Sequence, residues 1–117
     1  ATKPVGDNIY ELQYGNRQDW DTHAAEIKKV VFKAGFRDET HTTCSSWFCG
    51  CTNLTSIEGI ENLNTSYVNY MSEMFAQCSN LETLDLSHFN TENVVNMSKM
   101  FYGCTKLHDL NISSFNT

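Results

Sequence analysis

The apolar positions of this chain repeat themselves. "MFYGCTKLHDLNISSFNT" (100–117) can be laid over "MFAQCSNLETLDLSHFNT" (74–91) with Met, Phe and Cys in register. Leu81/Leu107, Leu84/Leu110, Leu86/Ile112 and Phe89/Phe115 follow, and Asn90/Asn116 and Thr91/Thr117 close each unit, always 26 positions apart. Upstream, "WFCGCTNLTSIEGIENLNT" (47–65) fits the same frame with one extra residue near Gly59. There Trp47 takes the Met slot, Cys51 the Cys slot, Leu54 and Ile57 the Leu slots, and Asn64-Thr65 the closing pair. The links match as well, "VNYMSE" (68–73) over "VVNMSK" (94–99), and Ile27, Val30 and Phe32 carry the Leu spacing once more. In L-x-x-L-x-L, Leu84 and Leu86 fall on one face of an extended segment, with Asp85 and Ser87 on the other, because strand side chains alternate. Val94, Met97, Met100 and Phe101 follow at i, i+3, i+6 and i+7, which predicts one stripe of a short helix.

Strand, turn, short helix and return within 26 residues fall in the 20–29-residue window of leucine-rich repeats. One such unit cannot bury its own apolar face, whereas stacked units share a continuous core. The expected fold is therefore an α/β, right-handed, leucine-rich-repeat-like solenoid with short parallel strands, short helices and an N-terminal cap. About three and a half coils are expected over 27–117, open at the C-terminal end, with the cap at 1–26. Within the cap, Tyr10, Leu12 and Tyr14 alternate with polar residues as an edge strand would, Gly15-Asn16 marks a turn, and Trp20 is large enough to cover a core end.

Composition narrows the function. The 117 residues suit one domain, and 40% hydrophobic with 12% aromatic residues mark a folded chain. The formal charge is -6, and no Lys or Arg lies between Arg37 and Lys99, a stretch holding Asp38, Glu39, Glu58, Glu61, Glu73, Glu82, Asp85 and Glu92. Phosphate-rich partners need clustered cations, so nucleic acid and anionic membrane are excluded as expectations. No apolar run approaches the roughly 18 residues of a membrane span.

Five cysteines are present, an odd number. Cys51, Cys78 and Cys104 share one slot and are expected to form an inward ladder. Units stack about 4.8 Å apart, but equivalent side chains point in parallel, so buried thiols are favoured over bridges. Cys44, Cys49 and Cys51 lie close in sequence and leave a local disulfide open. Met71, Met74, Met97 and Met100 have the softness for Cu(I). Yet Trp47 and Cys44 fill the equivalent slots one unit earlier, so the slot selects volume rather than sulfur. Zinc at Cys44, Cys49, Cys51 and His41 has suitable ligand types but no common spacing. No metal or cofactor is expected. No strained nucleophile elbow, phosphate loop or carboxylate pair accompanies the cysteines and histidines, and His88 and His108 occupy variable positions, so a noncatalytic protein is expected.

Asn64, Asn90 and Asn116 are expected to form a second inward ladder, satisfying backbone groups of neighbouring coils through donor and acceptor together. Thr65, Thr91, Thr117, Ser72 and Ser98 are read as turn and cap residues. What remains is the outward sheet face. Its candidate binding residues are Glu58, Glu61, Thr83, Asp85, Ser87, Asp109, Asn111 and Ser113, with Lys29, Val31 and Lys33 from the first coil.

The stretch "GCTNLTSIEGIENLNTSYVNYMSEMFAQCSNLETLDLSHFNTENVVNMSKMFYGC" resembles the BspA-like leucine-rich-repeat surface proteins of bacteria, which carry tandem LDLSxFNTxxVxxMxxMFxxCxxL units. The likeness covers about residues 27–117 and is nearly complete over 68–117. It implies a cell-surface or secreted setting, adhesion, and contact with a protein partner such as a host-surface or extracellular-matrix protein. The expected mechanism is rigid display of a preformed face, which lowers the ordering cost of binding. A structural spacer and a carbohydrate-binding module are the alternatives.

Overall fold

A computed structural model describes residues 2–6, 9–12 and 24–115. Tyr14, the Gly15-Asn16 turn, Trp20, Asn116 and Thr117 lie outside the described residues. Among the described residues lie six short strands: β1 (Thr2–Gly6), β2 (Ile9–Leu12), β3 (Lys29–Phe32), β4 (Ser56–Glu58), β5 (Thr83–Asp85) and β6 (Asp109–Asn111). Two 3-10 turns join them, η1 (Ala34–Asp38) and η2 (Ile60–Asn62).

β1 to β4 form one sheet in chain order, antiparallel between β1 and β2 and parallel thereafter, and β5 and β6 form a separate parallel pair. The strand holding Tyr10 is thus not at an edge as the alternation suggested. β1 doubles back onto it and takes the edge, and β2 pairs Tyr10 directly with Val30 of β3. Ile27, Val30, Phe32, Leu81, Leu84 and Leu86 turn inward and are buried, which is where the leucine spacing placed them. Equivalent residues of successive units face each other, Val30 with Ile57 and Leu84 with Leu110. The aromatic slot gives a stack: the Phe48 and Phe75 rings lie 5.6 Å apart, and Phe75 and Phe101 lie 5.9 Å apart and nearly parallel.

The short helix expected at Val94, Met97, Met100 and Phe101 does not form, nor does its counterpart in the earlier units. In its place the chain runs through tight turns. Trp47, Cys49 and Cys51 donate three residues back to Cys44, Ser46 and Phe48 at 3.1–3.2 Å. The alternate amides leave the unit altogether. Cys44, Ser46, Phe48 and Gly50 donate to the carbonyls of Tyr70, Ser72, Met74 and Ala76 at 2.8–3.0 Å. One unit on, Met71, Glu73, Phe75 and Gln77 donate to Asn96, Ser98, Met100 and Tyr102. An α-helix needs every amide for its own i−4 carbonyl; here half are spent on the neighbouring unit. A left-handed residue also recurs every fourth position, at Ser46, Gly50, Glu73, Gln77, Lys99 and Gly103, with φ between 57° and 82°. The apolar stripe is still buried, because a four-residue turn period puts Met71, Met74, Phe75 and Cys78 on the inner side much as a helix would.

Gln77 shares its slot with Gly50 and Gly103 and carries φ 66°. A side chain in that region costs roughly 1–2 kcal/mol, and the extra freedom of unfolded glycine offsets about 0.5–1 kcal/mol of the relief. Gln77→Gly is therefore expected to raise stability by about 0.5–1 kcal/mol. The urea midpoint would rise at unchanged slope; a fall would show that the Gln77 side chain contributes more than its backbone costs.

Candidate functional site

The outward positions of the strands are exposed as the alternation requires. Glu58, Thr83, Asp85, Asp109 and Asn111 face solvent, while Leu84 between them is buried. What the sequence did not announce is a break in the sheet. Among the described residues no backbone hydrogen bond joins β4 to β5. The cause lies at the extra residue. Gly59 takes φ 72° and passes so close to the Phe32 carbonyl that a Cβ there would overlap it. η2 follows at once, and its Asn62 amide donates to the same carbonyl at 3.0 Å. These contacts tie the exit of β4 to β3.

Over the outer face of β4, β5 and β6 lies a groove of about 670 Å³ whose walls include Ser56, Ile57, Glu61, Thr83, Asp85, His88, Asp109 and Asn111. Glu61, Thr83, Asp85, Asp109 and Asn111 are thus brought together from three successive units. The other three face residues stand apart. Glu58 pairs with Lys29 at 2.7 Å. Ser87 and Ser113 donate their amides to Asp85 Oδ1 and Asn111 Oδ1, each at 3.0 Å, closing the same turn one unit apart. His88, read from the sequence as a surface residue, lines the groove; its signal was only that it follows the strand by three residues. The Ser87 hydroxyl and amide hold the Asp85 carboxyl below its ordinary value, so it is ionised at neutral pH. Among the described residues, the lining contains three carboxylates and neither Lys nor Arg.

Behind this face, the cysteine column ties the units together. Cys51 and Cys78 are buried and Cys104 is partly so. Cys78 Sγ donates to the Phe48 carbonyl at 3.2 Å and Cys104 Sγ to the Phe75 carbonyl at 3.1 Å, each reaching into the preceding unit. None of the five cysteines is in a disulfide, so Cys44, Cys49 and Cys51 carry no local bridge. Burial pushes the Cys44 thiol up to about 12, and the Cys78 and Cys104 thiols are raised for the same reason.

The asparagine ladder requires correction. Asn64 Oδ1 accepts the Ser66 amide at 3.0 Å, and Asn90 Oδ1 accepts the Glu92 amide at 3.0 Å; both are local turns. A short carboxamide reaches the amide two residues on more easily than a neighbouring unit. Asn116 lies outside the described residues. The residue that bridges here is the next one, Thr65. It is buried, its hydroxyl donates to the Asn90 carbonyl at 3.1 Å, and it accepts the Asn90 amide at 2.8 Å. Another bridging slot follows the cysteines by two residues. Asn53 donates to the Ala25 carbonyl and Asn80 to the Thr52 carbonyl, both at 2.7 Å, and Lys106 reaches Asn80 Oδ1 at 2.8 Å. Thr65→Val keeps the shape and removes both bonds of one bridge. It should cost about 1–3 kcal/mol, the penalty of a buried polar group left unmade, read as a lower thermal midpoint. No loss would show that the Asn90 backbone finds water instead.

Met71 and Met74 are fully buried and Met100 nearly so, packed as core. No group of three or more His, Cys, Asp or Glu among the described residues could hold a metal ion. His41 stacks on Phe36 at 5.3 Å and meets Trp47 edge-on at 4.9 Å. Its Nε2 is buried with no partner among the described residues, and burial lowers its pKa against the opposing pull of Glu39. No helix among the described residues is long and apolar enough to cross a membrane.

A family model described as "Mycoplasma protein of unknown function, DUF285" matches residues 34–117. That family is associated with BspA-like repeat proteins. No curated protein and no solved structure matches the chain.

Proposed function

We propose, from the premise that the chain belongs to the DUF285 family matched over residues 34–117, that it is a noncatalytic repeat scaffold binding a protein partner at a bacterial cell surface. In this reading the stacked units form a leucine-rich-repeat-like solenoid of the BspA-like kind, in which tight turns replace the short helices. Backbone bonds passing from unit to unit at two-residue intervals support it. They make the array stiff, so that little ordering is lost when a partner docks. The observation that carries the binding role is the groove, which gathers Glu61, Thr83, Asp85, Asp109 and Asn111 from three units.

The test is capture of the soluble protein on a panel of immobilised extracellular-matrix proteins by biolayer interferometry. The double variant Asp85→Lys/Asp109→Lys should weaken capture at least tenfold without altering the circular dichroism spectrum. Capture indifferent to both substitutions removes the sheet face as the binding surface.

A second reading, carbohydrate recognition, is favoured by Tyr67, Tyr70 and Tyr102, which are 60%, 48% and 60% exposed. Flat exposed rings suit stacking against sugars. No Phe, Tyr or Trp among the described residues lines the groove, so this reading uses a different surface. A glycan array whose signals vanish with Tyr67→Ala or Tyr70→Ala would select it.

A further inference from the structure

We infer that His41 is an acid-released latch: as a neutral ring it fastens residues 39–42 over the Phe36–Trp47 edge of the core, and once protonated it turns out to solvent and uncovers that edge. This regulation is separate from the binding role proposed for the sheet face.

Three observations carry it. The first is how the segment is held. It leads from η1 to the first turn unit. At one end the Glu39 amide donates to the Phe36 carbonyl at 3.1 Å, and at the other the Thr42 carbonyl accepts the Asn69 amide at 2.8 Å. Between these points the backbones of Thr40 and His41 make no hydrogen bond among the described residues. Segments with so few backbone bonds open at low cost, so the ring is what fastens this one. The second is the seat of that ring. The imidazole stacks on Phe36 at 5.3 Å and meets Trp47 edge-on at 4.9 Å. Phe36 and Trp47 also meet each other edge-on at 6.1 Å, and both are buried. The third is Nε2, which is buried in this cluster without a partner among the described residues. Protonation puts a hydrogen on both ring nitrogens and an uncompensated charge where water does not reach, which a buried site resists.

Little around the ring compensates that charge. The turn unit 44–51, which carries Trp47, has no Asp, Glu, Lys, Arg or His. The link 67–70, where Tyr70 pairs with Thr43, brings only two phenols. η1 brings Arg37 and Asp38, both exposed, with Arg37 donating to Asn62. The Phe36 face attracts a cation but offers the Nε2 proton no acceptor. Glu39 favours the charged ring, and burial outweighs it, holding His41 below its ordinary value of 6.5. The open segment therefore takes up its proton at higher pH than the closed one. Closure is complete above that ordinary value and is lost as pH falls below it.

The test is solution NMR of the whole chain between pH 7.5 and 5.0. The His41 imidazole should titrate below its ordinary value, and the Trp47 indole resonance should move along the same curve. Hydrogen exchange, corrected for the intrinsic effect of pH, should show the Glu39 and Asn69 amides opening more often at pH 5.0 than at 7.5, by roughly threefold or more. The amides of Phe75 and Gln77 should not change. In His41→Phe, which keeps a flat ring with nothing to titrate, the acid response of Glu39, Asn69 and Trp47 should vanish. The inference is overturned by titration of His41 at or above its ordinary value, or by Glu39 and Asn69 amides as protected at pH 5.0 as at 7.5. Equal loss of protection at Phe75, or an undiminished acid response in His41→Phe, overturns it too. Should that variant not fold, the readings on the unmodified chain decide by themselves.

Discussion

Phe75→Ala will remove about 3–5 kcal/mol of stability, the usual range for deleting a fully buried aromatic ring. Phe75 is 0% exposed, and its ring is stacked on both faces, against Phe48 at 5.6 Å and Phe101 at 5.9 Å. Its backbone is also committed on both sides: its amide donates to Met100 and its carbonyl accepts the Cys104 thiol. The chain cannot move to fill the void without breaking those bonds. Domains of this size hold roughly 5–15 kcal/mol in total, so the variant will sit near the edge of folding. Urea unfolding followed by the fluorescence of Trp47, which contacts Phe48, measures the loss. Phe101→Ala supplies the comparison. That ring is only partly buried and has one stacked neighbour among the described residues, so its loss should be clearly smaller. Equal costs at the two positions would mean that the stack is not what makes Phe75 matter.

The second large effect is on pH. An unfolded thiol ionises near its ordinary value of 9.0, whereas buried Cys44 stays protonated to about 12. Between those values the folded chain holds a proton that the unfolded chain has released. Stability is therefore complete below pH 9 and declines as pH rises through the window. By pH 11 Cys44 alone will have lost roughly 2.7 kcal/mol, at 1.36 kcal/mol for each pH unit. Cys78 is raised as well and steepens the decline. Urea midpoints at pH 8, 9.5 and 11 will fall in that order, and Cys44→Ala will fall less steeply, which separates the thiols from lysines and tyrosines titrating in the same range. A midpoint independent of pH would place the thiols in water. The same burial predicts that a thiol probe reacts with Cys44 and Cys78 only after denaturation.

How far the fold was legible depended on whether a slot repeats its residue. Phe48, Phe75 and Phe101 are one letter three times, and their stacking follows directly. The leucine slots and the cysteine column are similar cases. The helix was misread because, within eight residues, a 3.6-residue period and a four-residue turn period bury the same positions. The distinguishing residues are the left-handed ones, and Ser46, Glu73, Gln77 and Lys99 announce nothing by their identity; only Gly50 and Gly103 hint at it. The asparagine column was visible in the alignment, but its role was not. Whether Asn90 bonds inward or two residues ahead is decided by the path of the turn, and Thr65, one position later in its own unit, turned out to carry the bridge. For the candidate site, the alternation along β5 and β6 correctly exposed Thr83, Asp85, Asp109 and Asn111. The groove they line could not be foreseen. The extra residue near Gly59 was evident, yet its consequence comes from the Phe32 carbonyl in the previous unit, a contact that no local pattern encodes.

The central claim is that alternate amides of each unit bond to the unit that follows, in place of a helix. Scalar couplings across hydrogen bonds, recorded on uniformly labelled protein, test it at single bonds. The account predicts correlations from the Phe48 amide to the Met74 carbonyl and from the Phe75 amide to the Met100 carbonyl. A correlation from the Phe75 amide to the Met71 carbonyl, four residues back in its own unit, would contradict it.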